Sequence, residues 1–131
     1  MAPIKDLTKI ITLNLSNNRI KNVAVFAMED CFANLKWLDI SNNKFTEFPA
    51  FKCPKLEYLN VNGNKLEKVN EAWTGHENLR IVSAVDNKFK SLVPFKAMPK
   101  LEELYMAQNM LVSLTGLEAL PALKKLHLRR I

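Results

Sequence analysis

The sequence is poor in the residues from which catalytic and metal sites are built. Glycine occurs three times in 131 residues, and no glycine-rich phosphate loop is present. The two histidines, His76 and His127, stand far apart, without partners at metal-ligand spacing, so neither a metal nor another cofactor is expected. No nucleophile has a histidine and an acid at a plausible spacing, which excludes the familiar hydrolytic arrangements and leaves no enzymatic activity or small-molecule substrate to expect. Two cysteines, Cys31 and Cys53, are expected to be reduced core thiols, the alternative being a bond between them where adjacent stretches of chain approach. No charge-free run approaches the roughly 20 apolar residues needed to span a membrane. The opening Met-Ala-Pro-Ile-Lys-Asp also lacks the apolar stretch of a signal peptide. A soluble, cytoplasmic chain without membrane attachment is expected. Acidic residues are the minority, 13 against 19 Lys and Arg, and the resulting charge of +6 permits an acidic partner without requiring one.

What the sequence does contain is a recurring asparagine in a recurring apolar frame. Asn18, Asn43, Asn64, Asn87 and Asn109 each occupy the ninth position of L-x-x-L-x-L-x-x-N-x-L. The frames run Ile10-Leu13-Leu15-Asn18-Ile20, Leu35-Leu38-Ile40-Asn43-Phe45, Leu56-Leu59-Val61-Asn64-Leu66, Leu79-Val82-Ala84-Asn87-Phe89 and Leu101-Leu104-Met106-Asn109-Leu111, and a sixth begins at Leu123-Leu126-Leu128. This is the signature of a leucine-rich repeat solenoid, an α/β fold with a parallel concave sheet, here predicted as one domain over residues 1–131 with five full repeats and a truncated sixth. The alternation at positions four and six sends those side chains into the core and the residues between them outward along a short strand. The chain must then turn away from the sheet, and its backbone polar groups need partners in a dry interior. A carboxamide both donates and accepts, so stacked asparagines can serve those groups coil after coil.

Repeat starts at residues 10, 35, 56, 79, 101 and 123 give periods of 25, 21, 23, 22 and 22 residues, too short for a long convex helix. Apolar residues every third position after Leu111 (Leu114, Leu117 and Leu120) predict short 3₁₀ turns or an extended return stretch. Pro49, Pro54, Pro94, Pro99 and Pro121 all fall in such stretches, where a missing N–H does least damage. The longer first coil has room for a helical turn or two through Val25, Phe26, Met28 and Phe32.

Function is expected on the outward residues of the concave sheet. The third frame position holds Thr12, Trp37, Tyr58, Ile81, Glu103 and Lys125, and the fifth holds Asn14, Asp39, Asn60, Ser83, Tyr105 and His127. At the seventh stand Ser16, Ser41, Asn62, Val85, Ala107 and Arg129. Read as a grid, they place Trp37, Tyr58, Ile81, Val85 and Tyr105 on neighbouring rungs of one face, flanked by Asp39, Asn60 and Ser83, with His127 on the last rung. Large outward aromatics mark a protein-binding face, with Trp37 and Tyr58 as anchors for a helix or short peptide laid across the rungs. The competing reading is that cross-strand aromatic pairs stabilise the sheet. The tenth position supplies four cations, Arg19, Lys44, Lys65 and Lys88, as a solvated edge that blocks unwanted strand pairing or as a strip for an acidic partner. Basic residues gather near the C-terminus as well (Lys124, Lys125, Arg129 and Arg130), but His127 alone stands near them as a base-stacking platform, so nucleic acid is not an expected partner. Little sequence precedes Leu7 and none follows Ile131, so the terminal coils lack obvious caps; further chain or another polypeptide is expected to cover them.

The run Pro99-Lys-Leu-Glu-Glu-Leu-Tyr-Met-Ala-Gln-Asn-Met-Leu111, with Thr115-Gly-Leu-Glu-Ala-Leu120 and Leu126-His-Leu-Arg129, resembles the central repeats of the leucine-rich repeat-containing protein 23 family, radial-spoke-associated proteins of the ciliary and flagellar axoneme. The likeness is strongest over residues 99–129, where Tyr105, Ala107, Gln108 and Met110 fill variable frame positions; Pro54 to Asn64 looks similar too. The resemblance implies a non-catalytic scaffold that grips other radial spoke or axonemal subunits, with Tyr105, Gln108 and Met110 in a shared contact surface. It also implies a departure, since the family's long acidic N-terminal segment and its later repeats do not appear between Met1 and Ile131. The repeat length resembles two other groups as well, the leucine-rich regulators of protein phosphatase 1 and the leucine-rich repeat light chain of axonemal dynein.

Overall fold

The computed structural model describes residues 8–21, 32–48, 53–69 and 75–129. Six three-residue strands form one parallel sheet: β1 (Thr12–Asn14), β2 (Trp37–Asp39), β4 (Tyr58–Asn60), β6 (Ile81–Ser83), β7 (Glu103–Tyr105) and β8 (Lys125–His127), in the order β1-β2-β4-β6-β7-β8. Two further strands of two residues each, β3 (Glu47–Phe48) and β5 (Lys68–Val69), make a separate parallel pair in the return stretches. The fold is the leucine-rich repeat solenoid that the frame predicts, and every main strand pairs with the equivalent strand of the next coil.

The alternation inside each frame explains the core. In β2, β4, β6 and β7 the middle residue is fully buried while its neighbours are partly exposed. Positions one, four, six and eleven contribute Leu35, Leu38, Ile40 and Phe45 from the second coil and Leu79, Val82, Ala84 and Phe89 from the fourth, all at most 1% exposed. Burying a side chain of this size stabilises by roughly 1.5–3 kcal/mol, and each coil supplies several. The ring of Phe89 meets that of Phe95 at 4.9 Å, carrying the core from the strand side into the return stretch. Cys53 lies in the same core, 2% exposed and free, as the composition implied. Burial pushes its thiol up to about 12.

The asparagine column works coil to coil. Asn64 Nδ2 donates to the carbonyls of Val61 at 3.0 Å and Asn62 at 3.3 Å in its own coil, and to Ile40 at 3.1 Å in the preceding coil. Its Oδ1 accepts from Phe45 N–H of that preceding coil at 3.2 Å. Asn43, Asn87 and Asn109 repeat the pattern, accepting from the backbone N–H of Ile20, Leu66 and Phe89 respectively. Asn18, in the first frame, is exposed and, among the described residues, bonds only to carbonyls of its own coil, at Leu15 and Ser16.

A second column was not foreseen. At the eighth position Asn17, Asn42, Asp86 and Gln108 take φ between 54° and 59°, and Gly63 takes 66°. A left-handed residue reverses the chain before the asparagine, and Asn, Asp and Gly tolerate that conformation best. The return stretches are largely irregular, as their prolines suggest, with one 3₁₀ turn at Leu117–Ala119. There the threefold spacing holds only in part. Leu111 and Leu120 are buried, but Leu114 is 45% exposed. Gly116, at φ 105°, brings the chain against the Leu92–Val93 backbone just before the 3₁₀ turn, and Leu114 precedes that turn on the solvent side. The helical turn expected through Val25, Phe26 and Met28, along with Cys31 and Pro49, lies outside the described residues. No helix among the described residues is long and apolar enough to cross a membrane.

Candidate functional site

The sheet register builds the outward grid rung by rung. Trp37 stands opposite Thr12 and Tyr58, Tyr58 opposite Ile81, Ile81 opposite Glu103, and Glu103 opposite Lys125. The fifth-position column runs Asn14, Asp39, Asn60, Ser83, Tyr105 and His127 in the same way. Outward residues are held at the rung spacing of about 4.8 Å, close to the separation at which planar side chains stack.

Trp37 and Tyr58 use that spacing. Their rings are stacked at 5.3 Å with an interplanar angle of 5°. At the other end of the sheet, Tyr105 and His127 meet at 4.8 Å and 47°. Trp37, Tyr58, Ile81, Val85 and Tyr105 are all half-buried, each covered on its flanks by neighbours on the sheet. The aromatics therefore contact each other across strands and keep part of their surface exposed.

The flanking polar residues are more committed than their positions suggest. Asp39 Oδ1 accepts from Ser41 N–H at 2.9 Å, and Asn60 Oδ1 accepts from Asn62 N–H at 3.0 Å, as Asn14 Oδ1 does from Ser16 N–H at 2.9 Å. These side chains hold the turn that leads from strand to asparagine column. Ser83 does not hold its own seventh-position amide, that of Val85. Asn62 Oδ1 crosses from the neighbouring rung instead, accepting from Val85 N–H at 2.7 Å and from Ser83 Oγ at 2.7 Å. Asn62, expected only as an outward seventh-position residue and not as part of the binding face, thus ties two rungs together, and its position beside a rung lacking Asn or Asp was the available signal.

Electrostatics divide the face. Burial and the carboxylate of Asp39 both hold the Tyr58 hydroxyl above its ordinary titration range, against a hydrogen bond from Asn60. The Tyr105 hydroxyl donates to Glu103 Oε1, and that bond, together with burial, raises it likewise. Both tyrosines therefore keep their protons throughout the neutral range. The last described rung adds Lys125 and Arg129, so the face runs from an aromatic, acid-flanked end to a basic one. Gln108 and Met110 lie beyond the strand, Gln108 in the left-handed column and Met110 with 54% of its surface exposed. The tenth-position cations Arg19, Lys44, Lys65 and Lys88 are all exposed along the downstream edge of the sheet. Among the described residues, no group of three or more His, Cys, Asp or Glu side chains is placed to hold a metal ion. His76 is buried in the return stretch behind the sheet, away from the grid. Burial drives its imidazole down to about 4, against a hydrogen bond to the Cys53 backbone.

Comparison with known proteins agrees with this geometry. The leucine rich repeat family pattern matches residues 8–66. The chain is similar to leucine-rich repeat-containing protein 23 of Homo sapiens, 32% identical over 98% of this chain and 36% of that protein. It is also similar to Tsukushi of Gallus gallus, 31% identical over 77% of this chain and 28% of that protein, and to osteomodulin of Bos taurus, 27% identical over 92% and 28%. The chain thus spans about a third of the length of these relatives. Identities are nearly level, as a shared repeat frame would produce. The human and Bos taurus forms of leucine-rich repeat-containing protein 23 both match over 98% of this chain.

Proposed function

We propose that this chain, a leucine-rich repeat solenoid similar over nearly its whole length to leucine-rich repeat-containing protein 23, is a non-catalytic protein-interaction scaffold of the ciliary or flagellar axoneme, working as a radial spoke component. The observation that carries the binding reading is the register that stacks Trp37 on Tyr58 and sets Ile81 on the next rung. A rigid sheet holds these side chains in place before a partner arrives, so little ordering entropy opposes binding. Ring faces left half-open in a row suit the apolar stripe of a helix or the alternate side chains of an extended peptide. The axonemal assignment is supported by the resemblance across residues 99–129 and by the 98% coverage.

The test is affinity purification with this chain from a salt extract of isolated axonemes and, in parallel, from soluble cytosol. Recovery of radial spoke proteins from the axonemal extract is the expected result. Recovery of a phosphatase catalytic subunit from cytosol alone would replace the scaffold with an enzyme regulator, and recovery of dynein heavy chain would move the protein to the motor. On the recovered partner, Trp37→Ala combined with Tyr58→Ala is expected to weaken binding by at least about 2 kcal/mol, because central aromatics dominate such interfaces. Unchanged affinity in a folded double variant would move the binding surface elsewhere.

A further inference from the structure

The upstream edge of the sheet, just before each strand, carries a charge pattern that the frame does not require. The second frame position reads Lys36, Glu57, Arg80, Glu102 and Lys124 on five successive coils. Glu102 is held between its neighbours, with Arg80 Nε at 2.9 Å from Oε2 and Lys124 Nζ at 3.2 Å from Oε1. One residue before each frame stand Asn34, Lys55, Asn78 and Lys100. Here the lysines donate to amide oxygens, Lys55 to Asn34 at 2.8 Å and Lys100 to Asn78 at 3.0 Å. Those bonds fix the ammonium groups in place without neutralising them.

Adding the two columns coil by coil gives an alternation. Summed as formal charge within each coil, Lys36, Arg80 and Lys124 each leave one positive charge, while Lys55 with Glu57 and Lys100 with Glu102 sum to zero, even though the carboxylate of Glu102 itself is bonded to Arg80 and Lys124 of the neighbouring coils. Net positive charge therefore recurs every second rung, at about 10 Å. The same residues line two adjoining troughs. One, of about 240 Å³, lies between Lys36, Lys55, Glu57 and Arg80; the other, of about 460 Å³, lies between Arg80, Pro99, Glu102 and Lys124, and both share Arg80 and Lys100.

We propose that this upstream-edge trough binds an extended acidic peptide segment whose carboxylates fall three residues apart. An extended chain advances about 3.3 Å per residue, so a spacing of three covers about 10 Å and matches the interval between net positive coils. The coils between those points carry no net charge and offer no counter-charge to an additional carboxylate there. A nucleic acid backbone fits less well, because its charges are continuous and no aromatic ring for base stacking lines the trough among the described residues. Pairing through Nε leaves both terminal nitrogens of Arg80 outside the bond to Glu102. This surface lies apart from the outward grid and rests on the repeat geometry alone, not on the aromatic face or the axonemal assignment.

The probe is a fluorescein-labelled peptide of about nine residues, long enough to cross the troughs, with Glu at every third position and Ser or Gly between. Fluorescence anisotropy with the whole chain at low salt is expected to give saturable binding. A peptide of the same composition with its Glu residues clustered should bind several-fold more weakly. Lys55→Glu with Lys100→Glu should lower affinity at least about tenfold, since each reverses an exposed charge beside the ligand. Lys44→Glu with Lys65→Glu makes the same change of net charge on the opposite edge and should alter affinity less than about twofold. Circular dichroism establishes that each variant is folded; the proposal is carried by the comparison between edges. Trp37→Ala with Tyr58→Ala should leave peptide binding intact, which separates this site from the aromatic face. Equal losses from the two edges, equal affinity for the clustered peptide, absence of binding, or tighter binding of oligo-uridylate at the same lysines would each overturn it.

Discussion

Replacing Asn64 by alanine isolates what the asparagine column contributes. The carboxamide of Asn64 is 7% exposed and serves four backbone groups. Three of these keep another partner. Ile40 O still accepts from Asn43 Nδ2 at 3.0 Å, Val61 O from Asn87 Nδ2 at 3.0 Å, and Asn62 O from Asn42 N–H at 2.8 Å. Among the described residues Phe45 N–H has only Asn64 Oδ1, and Phe45 is 1% exposed, so no water replaces the lost acceptor. One stranded buried donor costs about 1–3 kcal/mol, which sets the expected loss for Asn64→Ala near 2 kcal/mol. Asn18→Ala removes the same chemical group where it is exposed and, among the described residues, accepts no backbone N–H from another coil, so its expected loss is within about 0.5 kcal/mol. Urea unfolding followed by far-ultraviolet circular dichroism measures both, with equal slopes for wild type and variants as the check on comparability. Equal losses at the two positions would refute the reasoning, because they would mean that the stranded amide is not what the column prevents.

Gly116→Ala is expected to cost more than Gly63→Ala in the same assay. A Cβ at Gly116 would lie 2.5 Å from the backbone of Leu92 and Val93, whereas at Gly63 it meets the end of the movable Asn42 side chain. About 1 kcal/mol is expected at Gly63 from its positive φ, and at least twice that at Gly116. His76, held down to about 4 when folded, binds fewer protons folded than unfolded between that value and 6.5. Its contribution is complete above pH 6.5 and is lost as pH falls through 4, by an amount on the order of 3 kcal/mol. Urea midpoints across this range should fall more steeply for the wild type than for His76→Gln. Finally, Cys53, buried and raised to about 12, should resist a thiol reagent until the chain unfolds. Labelling in a Cys31→Ser background should follow the denaturation curve, and prompt labelling without denaturant would contradict the core assignment.

The repeat frame made the fold legible because its information is local. Leu38, Leu59, Val82 and Leu104 recur in phase, and a period-two pattern admits one inward face. The frame also gave the outward positions, so the neighbours of Trp37 and Tyr58 could be named before any coordinate. The use of those positions was not legible. Asp39 and Asn60 looked free to bind, yet each has an oxygen on the amide two residues on, a bond that depends on the turn after the strand. Asn62 was legible only as an outward residue, because its role comes from the rung beside it, where its oxygen serves Ser83 and Val85.

By itself the sequence determined the period, the inward set and the asparagine column, since each follows from spacing along the chain and from the need to satisfy buried backbone groups. Tertiary structure decided which residues meet across coils: the stacking of Trp37 on Tyr58, the left-handed column from Asn17 to Gln108, and the alternation of Lys36, Glu57, Arg80, Glu102 and Lys124 along one edge. Residues about 22 positions apart become neighbours only when parallel strands pair in register, and charge and ring contacts at that distance exist only in the stacked solenoid.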